Sequence, residues 1–123
     1  MRRAISPTTA MLAVASILLA ATPALAGYGA IAWDRDSGKR GWSWNEATAQ
    51  KAAEVARSEC GASGCKIVVR PTTACAALAT TADGKFIGAA ARKTKDEARL
   101  AALANCQKGK AGDCIVRVSD CNK

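Results

Sequence analysis

The chain has 123 residues and a formal net charge of +8, with six cysteines, no histidine and only 4% aromatic residues. This length allows one domain. The lack of histidine removes the commonest general base and the commonest zinc ligand, and so excludes Ser-His-Asp and Cys-His catalysis and most zinc-protease chemistry.

The N-terminal residues have the three parts of a secretory signal peptide. Arg2 and Arg3 precede an uncharged apolar run over residues 10–21, and Ala24-Leu25-Ala26 ends the segment with the small residues that a signal peptidase needs. A membrane anchor is the alternative, but the apolar run is shorter than the roughly 20 residues that span a bilayer. We therefore expect residues 1–26 to be a signal peptide.

Cleavage between Ala26 and Gly27 leaves residues 27–123 as a periplasmic or extracellular domain with no transmembrane segment. Loss of Arg2 and Arg3 lowers the net charge from +8 to +6. All six cysteines lie in this mature part, and an even number in a small exported domain predicts three disulfides. A metal site is disfavoured because the sequence has no CxxC pair and no histidine.

The mature sequence contains two similar units, at about 28–75 and 76–121. Both contain the pattern A-x-x-x-A-x-x-x-C, within residues 46–60 of the first unit and 93–106 of the second. Residues at i, i+4 and i+8 share one helix face, so each helix should present a small, smooth face to a sheet and point its cysteine toward the core. A Gly-containing loop, a second cysteine and a β-branched run follow each helix.

Each unit is therefore predicted to fold as strand, strand, helix, strand. The first hairpin turn is the long segment 34–40, whereas Asp83-Gly84 favours a tight two-residue turn in which both residues have positive φ. The first helix is expected to be capped by Asn45, or by Ser43 with Glu46, and the second by Thr94 in a capping box with Glu97. The fold class is α+β, one small disulfide-stabilised domain with a mostly antiparallel sheet covered by two helices.

Six cysteines allow 15 disulfide pairings, and the repeat only narrows the choice. If the two units are equivalent, Cys60–Cys65 and Cys106–Cys114 form within the units and Cys75–Cys121 joins them. Other symmetric pairings stay open. The core is rich in alanine and thin, so the disulfides should supply much of the stability.

The candidate binding residues lie around the first hairpin, where three basic residues lie between tryptophans along the sequence. If residues 42–45 form a strand, two of the tryptophans share one face. That face is either part of the core or a stacking platform beside cations, suited to a glycan, a polyanion or a partner protein. The candidate binding residues are Trp33, Arg35, Lys39, Arg40, Trp42 and Trp44.

Three acidic residues offer the remaining route to hydrolysis without histidine: Asp34, Asp36 and Glu46. A glycosidase needs a cleft between two carboxyl groups, which a domain of this size rarely builds. We interpret the two aspartates as part of a solvated loop, with no catalytic residue, cofactor or metal predicted.

The sequence also resembles a known family through four segments: YGAIAW at 28–33, GWSWN at 41–45, the two A-x-x-x-A-x-x-x-C patterns, and CAALA at 75–79. Together they are similar to the bacterial "domain of unknown function 4189" family, from about Tyr28 to Cys121. The resemblance implies a small exported single-domain protein. It implies no established activity, cofactor or catalytic residue.

The sequence thus favours an exported, non-catalytic domain that binds a protein, as an inhibitor or immunity factor does, or an anionic envelope polymer. The positive charges are spread along the chain, so no specific nucleic-acid partner is expected. The alternative is a small exported hydrolase that acts on cell-wall or nucleic-acid substrates through the acids above.

Overall fold

The computed structural model describes residues 27–109 and 112–123, so the predicted signal peptide over residues 1–26 lies outside the described part. Six strands and two helices are described: β1 (Tyr28–Trp33), β2 (Arg40–Glu46), α1 (Ala49–Cys60), β3 (Lys66–Thr72), β4 (Cys75–Thr80), β5 (Ile87–Arg92), α2 (Lys95–Lys108) and β6 (Ile115–Cys121). The chain is a small α+β domain, as the sequence predicts. In the part of the chain that the structure describes, no helix has the length and apolar character needed to cross a membrane.

The strands form two antiparallel three-stranded sheets, in the orders β2-β1-β3 and β5-β4-β6, and not one sheet under both helices. The central strands explain the difference, because both of their faces are apolar. In β1, Ala30 and Ala32 pack against α1, whereas Ile31 packs against Leu78 of β4. The two sheets therefore pack face to face, with one helix on each outer side.

The small face of each helix is buried as its spacing predicts. Ala52, Ala56 and Cys60 are at most 3% exposed in α1, and the corresponding residues of α2 are fully buried. The helices lie so close to the sheets that a Cβ atom built on Gly41 would be 2.1 Å from the Cys60 nitrogen. Gly88 is equally close to α2, with 2.1 Å between a built Cβ and the Ala102 oxygen.

The second helix begins where the sequence predicts, and the first does not. Thr94 caps α2, and its hydroxyl accepts a hydrogen bond from the Glu97 backbone nitrogen at 3.2 Å. In α1 the cap is Thr48, which accepts from the Lys51 nitrogen at 3.0 Å, so the predicted caps at Asn45 and Ser43 are wrong. The reason is that β2 continues to Glu46 and uses these residues in the sheet.

The second hairpin is longer than predicted. Its closing hydrogen bond joins the Thr81 nitrogen to the Phe86 oxygen at 3.0 Å, and only Gly84 of the Asp83-Gly84 pair has a positive φ, 73°. The first hairpin closes over the same number of residues, between the nitrogen of Asp34 and the oxygen of Lys39. The two turns therefore have equal lengths.

The three disulfides are Cys60–Cys65, Cys75–Cys121 and Cys106–Cys114. These are the pairs that equivalence of the two units favours. Cys75 is the first residue of β4 and lies opposite Cys121 of the neighbouring β6. This disulfide thus connects two neighbouring strands of one sheet.

Candidate functional site

The candidate site is built on β2, an edge strand whose residues alternate between two environments. Ser43 points toward α1, where its hydroxyl donates to the Ala52 oxygen at 2.7 Å and accepts from the Ala30 nitrogen at 3.1 Å. Trp42 lies opposite Ile31 and therefore on the other face, together with Trp44. The two tryptophans therefore share one face of β2.

The two tryptophans nevertheless differ in burial. Trp44 is half-buried and packs on the apolar cluster between the two sheets, whereas Trp42 is 43% exposed. The core interpretation thus applies to Trp44 and the surface interpretation to Trp42. An exposed tryptophan on a small domain is a large, rigid contact area of the kind that dominates binding energies at protein interfaces.

Trp42 lies between two adjoining hollows. The first has a volume of about 330 Å³ and includes Trp44, Glu46, Val55 and Glu59 in its lining. The second has a volume of about 410 Å³ and is lined by Ser37, Gly38, Lys39, Arg40, Trp42 and Cys60. Because Arg40 and Trp42 line both, we treat the two hollows as one feature and name it the β2 groove.

The β2 groove runs along the outer edge of the strand. Its lining includes Trp42 and Trp44 from one face of β2, and Ser43 from the opposite face. Only a hollow at the edge of a strand can touch both of its faces. Within residues 27–109 and 112–123, β2 pairs with β1 alone, so this edge has no strand partner there.

The β2 groove carries charges of both signs close together. Arg40, Glu46 and Glu59 line its first hollow, and Lys39 lines the second. Glu59 lies at the hairpin end, because a Cβ atom built on Gly41 would be 2.6 Å from the Glu59 carbonyl carbon. A uniformly anionic polymer would meet two carboxylates in this groove, whereas a protein segment can match charges of both signs.

Two of the predicted binding residues lie elsewhere. Trp33 is half-buried, and its indole nitrogen donates a hydrogen bond to the Gly84 oxygen at 2.9 Å, which ties the first hairpin to the second. Trp33 and Arg35 line a third hollow of about 440 Å³, to which the second sheet's hairpin contributes no lining residue. The structure therefore brings four of the six candidates together, Lys39, Arg40, Trp42 and Trp44.

The three candidate acids are not brought together in one hollow. Asp34 and Asp36 line the third hollow, and Glu46 lines the β2 groove. The Ser37 hydroxyl donates to Asp34, and this hydrogen bond is the main cause that lowers the pKa of the Asp34 carboxyl below its usual 3.8. In the described part of the chain, no three potential ligands among Cys, Asp and Glu are arranged to hold a metal ion.

Sequence reasoning missed the contribution of α1 to the site. Val55 and Glu59 line the β2 groove and are four residues apart on the helix. Their spacing places them on one helix face beside the buried Ala52-Ala56-Cys60 stripe. The sequence shows this spacing, but only the position of α1 next to β2 makes the two residues part of the β2 groove.

A comparison with protein families identifies the family of this chain. The sequence profile described as "Domain of unknown function (DUF4189)" matches residues 28–121. The chain belongs to this family. The match covers every strand and both helices described above, and so supports the resemblance that the sequence segments indicate. No curated protein and no solved structure is significantly similar to the chain.

Proposed function

We propose that this DUF4189 domain is an exported, non-catalytic binding domain whose binding surface is the β2 groove. The observation that carries the proposal is Trp42, which is exposed at the centre of a groove along a strand edge with no strand partner in the described part. Three disulfides in a domain of this size support export, because such bonds persist in oxidising compartments. Cleavage after Ala26 is part of the proposal.

The partner class is a protein, such as the target of an inhibitor or immunity factor. The charges of both signs in the groove support this choice over an anionic envelope polymer. A polymer would find a better surface near α2, where Arg92, Lys93, Lys95 and Arg99 are all exposed. Salt separates the two classes, because exposed charge contacts are screened within about 10 Å at 0.1 M salt whereas apolar contacts are not.

The test is an affinity capture with the processed, oxidised protein against envelope and culture-medium fractions of its host. We expect one protein to be retained at high salt and to be lost with Trp42→Ala. The matched control is Leu100→Ala, which removes a 69% exposed apolar side chain from α2, away from the groove. Capture that Trp42→Ala leaves unchanged, or capture only of polymer released at low salt, would contradict the proposal.

A hydrolase is the second candidate, and one observation favours it. Glu46 and Glu59 both line the first hollow of the β2 groove, so two carboxylates border one cavity. In this alternative Glu46, Asp34 or Asp36 carries the reaction on a cell-wall or nucleic-acid substrate. Hydrolysis by the purified protein that is lost in Glu46→Gln, with the fold intact, would establish the enzyme and overturn the binding domain.

A further inference from the structure

We infer that a protein partner docks on the β2 groove as an added antiparallel strand, through an extended segment whose residues are apolar, basic and acidic in that order. The inference rests on the proposed function, because it takes the same groove as a protein-binding surface and states the chemistry of the segment that binds there. Outward-directed backbone groups and charges of opposite sign on the two faces of β2 support it.

The first step is that β2 directs backbone groups away from the sheet along its outer edge. The Asp34 nitrogen donates to the Lys39 oxygen at 2.8 Å, so the Lys39 carbonyl faces β1. Backbone groups alternate along an antiparallel ladder, so Gly41 also faces β1, whereas Arg40 and Trp42 direct their N–H and C=O groups outward. Within the described residues β2 pairs with β1 alone, and such an edge is a template for strand addition.

A β-bulge near the end of β2 limits the length of this edge. The pairing register of β1 and β2 shifts between Tyr28 and Ala30, and Asn45 has a positive φ of 58°. Beyond such a bulge the side chains of the strand change faces. The Asn45 nitrogen donates to the Asn122 Oδ1 at 2.9 Å, so the segment after β6 already holds this end of β2. An added strand is therefore confined to residues 40–43.

The second step is that the charges of β2 lie on opposite faces of the strand. Arg40 lies opposite Trp33, whose indole nitrogen donates to the hairpin of the second sheet. Arg40 is therefore on the face toward the second sheet, as Trp42 is. Glu46 lies opposite Tyr28, which packs against the buried face of α1, so Glu46 is on the α1 side.

Glu59 adds a second carboxylate on the α1 side. It lies in the last turn of α1, which Gly41 contacts, and it lines the first hollow together with Val55. The side chains of a strand alternate between its two faces, so a strand added beside β2 would meet a cation on one face and carboxylates on the other. Charge complementarity therefore favours an acidic residue on the first face and a basic residue on the second.

The third step is that these positions fix the order of the residues in the docked segment. In an antiparallel pair, a β-branched apolar residue opposite Trp42 and an acidic residue opposite Arg40 both form favourable cross-strand pairs. The residue between them lies opposite Gly41, which has no side chain to cover the α1 side, so a basic residue there faces Glu59. Because the added strand runs against β2, its order from the N-terminus is apolar, basic, acidic.

A synthetic peptide tests the inference with the processed, oxidised protein. The probe is acetyl-Thr-Thr-Ile-Lys-Glu-Thr-Thr-amide, and binding is followed by the fluorescence of the protein's tryptophans, since the peptide has no aromatic residue. The control peptide exchanges the lysine and the glutamate and so keeps the composition and the zero net charge. We expect the control peptide to bind at least about fivefold more weakly, because both of its charges then face like charges.

An exchange of charges in the protein should reverse this preference. The double variant Arg40→Glu with Glu59→Lys should bind the control peptide at least about fivefold more tightly than the original probe. Arg92→Glu with Glu54→Lys is the matched control, because it makes the same two changes at exposed residues of β5 and α1 that do not line the groove. This control variant should keep the wild-type preference.

Amide hydrogen exchange on the unaltered protein keeps the inference testable if a variant fails to fold. The Trp42 amide should exchange more slowly with bound probe, because it gains a hydrogen bond to the added strand. Ala89 is the control, since the hydrogen bond from the Thr81 nitrogen to the Phe86 oxygen directs the Ala89 amide outward from the edge of β5. Its exchange should not change.

Several results would each overturn the inference. They are no binding of either peptide at millimolar concentration, equal binding of both, tighter binding of the reversed order Glu-Lys-Ile, a preference that the double variant does not reverse, and unchanged exchange at Trp42. Peptide binding that weakens as the protein concentration rises would also overturn it, because a second copy of the chain would then occupy the edge.

The results also separate this inference from the proposed function. Capture of a host protein that is lost in Trp42→Ala, with no preference between the peptides, overturns strand addition and supports the groove as a binding surface. Peptide binding with the expected preference, and no host protein captured, supports the inference and counts against the proposed function.

Discussion

The edge strands β2 and β5 occupy corresponding places in the two halves of the domain and carry very different side chains. Both contain a glycine pressed against a helix, Gly41 in β2 and Gly88 in β5. Trp42 lies opposite Ile31 in the first sheet, whereas Ala89 lies opposite Leu78 in the second.

A three-stranded sheet that packs between a helix and a second sheet therefore does not need large aromatic side chains on its edge strand. The second sheet packs its helix and its partner sheet with alanines and Ile87 on β5, and without an aromatic residue. Trp42 occupies the matching position of β2 and is 43% exposed. Since an alanine fills this position in the second sheet, the packing does not require a tryptophan there. This contrast is why we assign Trp42 to binding and the second half to stability.

The disulfides should give the largest difference between the halves. Cys75–Cys121 closes a separation of 46 residues in the second half, and Cys60–Cys65 closes one of 5 in the first. Loop-closure entropy then predicts a loss of about 4 kcal/mol of unfolding free energy for Cys75→Ala with Cys121→Ala, and about 2 kcal/mol for the Cys60 and Cys65 pair. Denaturant unfolding of the oxidised proteins measures both, and equal losses would show that loop length does not set the stabilisation.

Substitution of the helix-contacting glycines should affect the two halves alike. Gly41→Ala and Gly88→Ala each place a Cβ within about 2.2 Å of helix backbone atoms, so the helix must move away from the sheet. We expect each variant to lose about 3 kcal/mol or to fail to fold. Gly109→Ala is the control, because its Cβ would meet the Cys106 oxygen at 3.4 Å and its φ is −72°. Thermal unfolding of the three variants checks this, and a mild effect at either strand glycine would mean that the helix there is loosely packed.

The two tryptophans of β2 should separate stability from binding. Trp44→Ala removes a half-buried side chain from the cluster between the sheets and should cost about 2 kcal/mol of unfolding free energy. Trp42→Ala should cost less, about 1 kcal/mol, because the side chain is 43% exposed and lies outside the cluster between the sheets. Denaturant unfolding of both single variants measures the difference. If Trp42→Ala were the more destabilising, Trp42 would be a core residue and the comparison between β2 and β5 would lose its basis.

Much of the fold could be predicted from the sequence because its strongest signals are local. The Ala-Ala-Cys stripes predict both helices and their buried faces, and Thr94 predicts the start of the second. The division into two sheets could not be predicted, since Ala30, Ile31 and Ala32 are all apolar and do not show that each face of β1 meets a different layer.

The sequence could predict which segment carries the candidate site, but not which surface that segment forms. Trp42 and Trp44 have the same residue type and the same spacing to their neighbours, so nothing in the sequence distinguishes them. Their burial differs because the cluster between the two sheets includes Trp44, and Trp42 lies farther along β2 toward the hairpin. The extent of that contact depends on the position of the second sheet, which is a property of tertiary packing.

The smallest expected effect concerns a carboxylate in each hairpin turn. The Ser37 hydroxyl lowers the pKa of Asp34, and the Thr81 hydroxyl, followed by the Lys85 backbone nitrogen, lowers the pKa of Asp83. A carboxyl whose pKa is lower in the folded than in the unfolded state stabilises the fold above its unfolded pKa, and this contribution is lost as the pH falls through the folded value. Asp34→Asn and Asp83→Asn should therefore melt at slightly lower temperatures than wild type at neutral pH.

That difference should shrink as the pH falls below the usual aspartate value of 3.8, since the wild-type carboxyls then become neutral as well. Asp36→Asn is the control, because Asp36 is exposed and its substitution should leave the melting temperature unchanged at every pH. Similar shifts for Asp34→Asn and Asp83→Asn would mean that the two turns contribute alike and take no part in the difference between the halves. A shift at Asp34 alone would extend that difference to the hairpin beside the groove, and a difference that grows in acid would contradict the assigned hydrogen bonds.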